Sequence, residues 1–532
     1  MSPAHLCLVL HAHLPFVRHP EHERFLEESW FFEAVIESYL PLVNVLDGWN
    51  RDRIPARLTF TITPTLCSML RDPLLQIRCG RHLDRLIELA EREIHRNTFL
   101  KDFQAVAMFY HERLTVLRGI WTRCEGDLLG RFKEARERGQ IEIITSAATH
   151  ALLPLLSAHP PAVRGQLLTA RDHYRECFGI DPEGIWLPEC AWSERLEPLL
   201  LEAGLKWFIT DTQGVVKARP EPQFGHFAPV ATPGGLLAFG RDPETARQVW
   251  SREEGYPGDF RYRDFYRDIG FDLDLEYLEP YLGAPGVRGF TGMKYHRITG
   301  AGGVKEPYHR GLAMVAVREH AHHFLAARLG RTRELRDVLP QAPLFLCPYD
   351  AELFGHWWYE GPEFIDSLAR QAQGYADEIV LSSPADFISG RGKAQVGMPA
   401  DSSWGEDGYW KVWLNEKNHW IHPSTREAGM RMSGLVRKHG QAVGVPARVL
   451  KQAARELLLA QSSDWPFILR MGTSPDYARR RVIEHLEHFD RLWQMLETGN
   501  VDEAWLGQLE SRDNLFPSIR PAYWETSHAG RD

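Results

Sequence analysis

The chain has 532 residues, 44% of them apolar and 25% charged, which supports an extensive packed core and excludes global disorder. Lys plus Arg number 62 against 71 Asp plus Glu, a net charge of −9, so the basic surplus that selects for nucleic acid or an anionic membrane surface is missing. Seven Cys, an odd number with no C-x-x-C spacing, fit reduced thiols rather than a disulfide framework. The opening residues MSPAHLCLVLHAHLP show no basic n-region and no long apolar run. No stretch reaches the ~18 apolar residues of a membrane span, so the expectation is a soluble, cytoplasmic protein.

Short apolar runs mark strands at 5–10 (HLCLVL), 57–62 (RLTFTI), 141–145 (IEIIT), 184–187 (GIWL), 207–210 (WFIT) and 344–347 (LFLC). They lack strict alternation, as strands buried on both faces of a parallel sheet do. Helical segments at 32–49, 161–177, 194–203 and 312–329 separate them, which predicts an α/β architecture. Residues 71–137 carry periodic Leu83, Leu86, Ile87 and Leu89 with no strand signal and read as a helical insertion. Residues 250–303 are rich in Gly, Pro, Tyr and Asp and read as ordered loops around a site. Beyond Gly390 the strand signals stop, and 426–439, 446–461 and 474–496 are amphipathic helices. The expected division is a catalytic domain over 1–390 and a helical C-terminal domain over 391–532, with the seam in Gly-rich 389–400.

In a parallel α/β barrel, functional side chains project from the carboxyl ends of the strands. His11 and His13 follow the first strand, His150 the third, Glu189 the fourth and Asp350 the last, bringing imidazoles and carboxylates to one rim. A strand-end residue taken singly is more often a cap or turn former. Glu189 lies between Trp186 and Trp192, as either a desolvated acid or an ion-paired structural residue. Asp350 is followed by Phe354, Trp357, Trp358 and Tyr359, some of which must be core. Aromatics beside an acid also suit a sugar site, because pyranose C–H faces stack on rings, and two carboxylates across a glycosidic bond are the minimal glycosidase. The runs HAH, HPEH and HAHH raise the question of zinc. However, His11 and His13 on a strand point to opposite faces, no H-E-x-x-H occurs, and HAHH sits within a helix. No metal and no cofactor are expected.

HAHLP (11–15), EIITSAATH ending at His150, WLPECAW around Glu189 and PYDAELFGHWW around Asp350 closely resemble motifs of glycoside hydrolase family 57. The resemblance continues through FGRDPE, QVWSREEGYPGDFRYRDFYRDIGFD, ADSSWG, WLNEKN and QSSDWPF, and so covers nearly the whole chain in order. It is strongest to the α-glucan branching group, which includes relatives labelled α-amylase. It implies a seven-stranded β/α barrel with a helical insertion and a helical C-terminal domain, acting on an α-1,4-glucan. Glu189 is the implied nucleophile and Asp350 the implied general acid/base. His13 and His150 would surround the sugar beside the nucleophile, Trp250, Trp404 and Trp413 would line the groove with Trp30, and Asp464 would contact substrate. His11, Arg241 and Trp357 complete the implied substrate-binding set.

One departure bears on the reaction. Branching members carry a loop over the site with a tyrosine at its tip, whereas 208–255 contains no tyrosine and Phe224 is the nearest counterpart. A cover without that hydroxyl implies branching accompanied by substantial hydrolysis, with α-amylase or 4-α-glucanotransferase activity as the alternative. A zinc hydrolase on a related barrel and a silent glucan-binding protein are the readings from other classes.

Overall fold

A computed structural model describes residues 2–251, 254–300 and 304–526. Seven parallel strands form its centre: β1 (Ala4–Ala12), β2 (Leu58–Ile62), β3 (Ile141–Ile144), β4 (Gly184–Trp186), β5 (Trp207–Thr210), β6 (Leu237–Gly240) and β7 (Leu344–Asp350). β1 pairs with β2 and β7, β2 with β3, β4 with β5, and β5 with β6. Two narrow joints close the ring. Trp186 N–H donates to Thr145 O at 2.9 Å between β3 and β4, and Asp242 N–H donates to Leu346 O at 2.8 Å between β6 and β7. The barrel interior is filled rather than hollow: Cys7, Val9, Ile144, Trp186, Trp207 and Leu346 from β1, β3, β4, β5 and β7 pack into one buried cluster.

The strands read from the sequence are present, with four corrections. β6 (LAFG) was missed because it is four residues long and follows Gly234 and Gly235. Ile379–Leu381, also missed, lies on the start of β1, with Ala4 opposite Ile379. Strand pairing also continues past Gly390, because Gln395–Val396 joins Val230–Ala231 in parallel. β7 is longer than its apolar run 344–347, so Asp350 is the last strand residue rather than the third residue beyond the strand.

The insertion is three helices, Pro73–Arg96, Lys101–Arg123 and Leu128–Glu137. Asp72 caps the first, accepting from Leu75 N–H with Pro73 in the first turn, where a missing N–H costs nothing. The single helix expected over 32–49 is instead Glu28–Glu33, a π-helical turn Ala34–Tyr39 and Leu40–Asp52. π turns are rare and concentrate at functional sites. The C-terminal helices Ile421–His439, Val445–Ala460 and Pro475–Thr498 share one continuous apolar cluster with the barrel and its insertion. Among the described residues no helix is long and apolar enough to cross a membrane, and all seven thiols are free.

The end of the described chain straps onto the barrel. Trp524 is fully buried against the Pro160–Phe178 helix, where a Cβ on Gly165 would fall 2.3 Å from the indole. Gly165→Ala should therefore push the indole out and cost about 1–3 kcal/mol, the usual range for overpacking. Urea unfolding followed by tryptophan fluorescence checks this, and an unchanged midpoint would show that the strap carries no stability.

Candidate active site

The carboxyl ends of four strands meet at one rim. The β1–β7 register sets His11 directly beside Asp350. Glu189 lies just past β4, where Glu189 (φ 61°) and Cys190 (φ 52°) are both left-handed, as is His150 (φ 53°) past β3. Left-handed backbone at a residue bearing a Cβ costs of order 1–3 kcal/mol, so something must hold these loops. The holding groups come from beyond the barrel. Trp404 gives its backbone N–H to Glu189 O at 3.0 Å and its indole N–H to Glu189 Oε2 at 2.9 Å. Ser463 gives its backbone N–H to His150 O at 3.1 Å, and its hydroxyl to Glu189 Oε1 at 2.8 Å.

Three imidazoles pack beside this carboxylate. His11 stacks on Trp186 at 4.4 Å and 8°, and His150 lies 5.0 Å from His11 and 3.9 Å from His13. Burial, reinforced by the neighbouring imidazoles, holds His11 and His150 well below the usual histidine range, so both are neutral. The proton order then follows from Ser463. Its one hydroxyl proton goes to Glu189, so His150 Nδ1–H donates to Oγ at 2.8 Å, and His150 Nε2 accepts from His11 Nε2–H at 3.0 Å. His13 is different. Burial would lower its pKa, but the Asp464 carboxylate, 3.1 Å from Nε2, prevails with help from Glu352 and Glu189 and raises it.

The expectation that His11 and His13 point apart fails, because side chains alternate along a strand and residues two apart share a face. His13 stands just past the end of β1, and its ring lies 5.6 Å from that of His11. Asp464 is equally committed, bonded to His13 and to the Ser462 hydroxyl. One ligand atom each of His13, His150 and Asp464 lies within 4.8 Å of the others, a spacing that could hold a cation. The hydrogen bonds just described use those groups, and His13 is drawn toward the protonated form, which repels one. The HAHH run is structural: His320 and His323 bond the hydroxyls of Tyr262 and Tyr256, each at 2.8 Å, and anchor the loop region.

Asp350 stands in contrast to Glu189. No donor among the described residues reaches its carboxyl, and burial, then the charges of Glu352 and Glu189, push it well above the usual carboxylate range. Burial raises Glu189 too, but the Trp404 and Ser463 bonds favour its ionised form.

Several other implied residues lie at or near this rim. Arg241, Trp250 and Trp404 line a cleft of about 570 Å³. Within it the Arg241 guanidinium lies 5.8 Å from the Trp404 ring, Trp250 is 37% exposed, and Arg241 Nε has no hydrogen-bond partner among the described residues. Trp30 is half-buried, edge-on to Tyr477 at 5.8 Å, and Trp357 stacks on Phe265 at 4.4 Å with 53% of it exposed. The motif around Trp250 runs through residues 252 and 253, which lie outside the described residues.

Two implied residues are placed elsewhere. Trp413 is 1% exposed, packed with Leu152, Ala191 and Val412 under Gly405. An edge of it reaches a neighbouring cleft of about 530 Å³, but no ring face is open for stacking. Phe224 does not cover the site. Its turn is bonded through Phe227 O to Leu344 N–H, at the far end of seven-residue β7 from Asp350, about 20 Å away. Sequence reasoning passed over Ser463 and Glu352, although QSSDWPF and PYDAELFG contain them. Neither the serine nor a second acid beside Asp350 carries a signal of its own.

The fold and rim agree with what the chain resembles. The family described as "Glycosyl hydrolase family 57" matches residues 7–399, and "1,4-alpha-glucan branching enzyme, C-terminal" matches residues 424–524. The 1,4-alpha-glucan branching enzyme of Thermococcus kodakarensis is 31% identical over 97% of this chain and 78% of its own length. The crystal structure titled alpha-amylase AmyC, from Thermotoga maritima, is 40% identical with a TM-score of 0.92, covering 99% of this chain and all of its own. The branching enzyme structure from Pyrococcus horikoshii is 31% identical with a TM-score of 0.88, covering 99% and 98%. With a family match over most of its length and the same barrel beneath it, this chain belongs to glycosyl hydrolase family 57.

Proposed function

We propose that this chain is a retaining α-glucan enzyme, a 1,4-α-glucan branching enzyme with appreciable hydrolysis. The observation that carries this reading is the opposed treatment of two rim carboxylates: Glu189 receives two hydrogen bonds and Asp350 none. Pairs of acids whose surroundings push their protonation apart divide into nucleophile and proton donor. In the first step Glu189 attacks C1 of an α-1,4-linked glucosyl unit while Asp350 passes its proton to the departing O4. The C1–O4 bond breaks, a C1–Oε ester forms, and Asp350 is left as a carboxylate. In the second step Asp350 takes a proton from the acceptor, whose oxygen displaces Glu189. A glucan 6-hydroxyl gives a branch and water gives hydrolysis.

The chemistry is assigned to the chain's own side chains. Neutral His11 and His150, imidazolium-like His13 and Arg241 Nε would bind the sugar hydroxyls. Trp250 and Trp404 offer ring surface to the chain of glucose units, while Trp413 supports Trp404 from beneath. The branching description of residues 424–524 and the named relatives favour transfer. Two observations favour the hydrolytic side, the position of Phe224 far from Asp350 and the 40% identity to a structure titled alpha-amylase. Incubation with amylose, with α-1,6 linkages counted by proton NMR alongside reducing ends, tests the reading. New branches together with new reducing ends are expected, and reducing ends alone would make the enzyme an amylase.

Glu189→Ala should abolish turnover in a folded protein, and azide should restore part of it with an inverted glycosyl azide as product. Asp350→Asn should cost glucan substrates about 10²–10⁴-fold, the usual worth of a general acid, and activated aryl glucosides far less. Equal losses on both substrates would reduce Asp350 to a binding residue. Activity should be bell-shaped in pH, lost on the acid side as Glu189 protonates and on the alkaline side as Asp350 ionises. Trp404→Phe removes one donor from ionised Glu189, a bond worth about 1.5–3 kcal/mol. The acid limb of kcat/KM should therefore move up by about one to two pH units with the alkaline limb in place.

A further inference from the structure

A further carboxylate shares this rim with Glu189, Asp350 and Asp464. Glu352 lies in the short 3-10 turn Ala351–Leu353 that follows β7, and its side chain reaches back to β1. Its Oε1 accepts the His13 backbone N–H at 3.1 Å and the Tyr39 hydroxyl. Tyr39 ends the π-helical turn Ala34–Tyr39, and the same turn holds the rest of the loop. The Ser38 hydroxyl donates to Glu352 O at 3.4 Å, and Glu37 accepts from His356 Nδ1 at 2.6 Å. The fit is close: Gly355 has φ 120°, and a Cβ there would lie 1.9 Å from Glu37 O. Only glycine allows the loop after Asp350 to sit this deep on the π turn, and that depth brings Glu352 under His13.

We propose that Glu352 is a positioning residue of the catalytic rim, a fixed anion that anchors His13 at the sugar site and leaves Asp350, two residues away, as the group that carries the proton. This rests on the reading of Asp350 as the acid/base. Three buried carboxyls cannot all ionise in one small volume, so the hydrogen-bond donors decide which ones do. Glu352 and Glu189 each receive two, and Asp350 none. The groups facing Asp350 and Glu352 are His13 from the end of β1, Tyr39 from the π turn, Glu189 beyond β4 and Arg241 beyond β6. His13 and Arg241 pull Asp350 toward ionisation, but burial and the two anions prevail. Glu352 is itself raised by burial, with Tyr39 and His13 working against that rise.

Glu352→Gln tests this, because an amide oxygen can still accept from His13 N–H while the charge is gone. The alkaline limb of kcat/KM should fall by about one pH unit or more, with the acid limb and the melting temperature close to those of the parent. Glu352→Asp keeps the charge and should restore the alkaline limb, while its shorter reach loosens His13 and raises KM. Should the Gln variant fail to fold, Tyr39→Phe withdraws one donor from Glu352 and should move the same limb downward. An alkaline limb unmoved in the folded Gln variant, or in Tyr39→Phe if the Gln variant does not fold, overturns the proposal. Asp350→Asn on an aryl glucoside separates the two readings. If the alkaline limb survives there, Asp350 is not the acid; if it vanishes there yet ignores Glu352, only the role of Glu352 fails.

Discussion

Everything at this site depends on one buried carboxylate held in a conformation that it does not prefer. Glu189 and Cys190 are consecutive left-handed residues at the end of a three-residue strand, which cannot stiffen them alone. The restraint comes from Trp404, which gives Glu189 both its backbone and its indole N–H, and from Ser463, whose hydroxyl bonds the Glu189 carboxylate while its backbone N–H holds His150 O. Both lie in the part of the chain that composition alone would set aside as a separate helical domain. The C-terminal part thus completes the barrel's candidate active site, and the continuous apolar cluster linking the two keeps those donors in register.

The same logic governs charge. Desolvation raises Glu189, Asp350 and Glu352 alike, so burial cannot by itself distinguish a nucleophile from an acid. Hydrogen bonding makes the distinction. Neutral His11 and His150 pass a directional chain of donors through Ser463 to Glu189, while His13, drawn toward its protonated form, sits between Asp464 and Glu352. The π turn Ala34–Tyr39 is the rigid support for the acid's own loop, with Gly355 setting how closely the two approach.

Much of this was legible in the sequence, and the reasons for the rest are physical. Unbroken apolar runs located five of the seven barrel strands to within two residues at either end, and a sixth, β7, at its start. β6 escaped because four residues behind two glycines have no periodicity. Reading past each strand end singled out Glu189, Asp350 and three histidines, which the fold brings to one rim. Direction was harder: His11 and His13 were set on opposite faces, whereas residues two apart along a strand share one, and the two rings stack 5.6 Å apart. Tryptophans were equally ambiguous, since Trp404 and Trp413 sit in similar polar motifs, yet one donates to Glu189 and the other is core. Phe224 was placed over the site by the likeness of a loop, whereas pairing with the start of β7 takes it to the far end of the strand. The π turn leaves no mark in sequence, because its apolar spacing differs little from that of the α-helix on either side.

The central claim is that at neutral pH Asp350 is protonated while Glu189 is not. Infrared difference spectroscopy across a pH titration reads this directly, since a protonated carboxyl has its own C=O stretch. The parent protein should keep a buried carboxylic acid band at neutral pH that vanishes in Asp350→Asn and persists in Glu189→Gln. A band that survives in Asp350→Asn but disappears in Glu189→Gln would contradict the account.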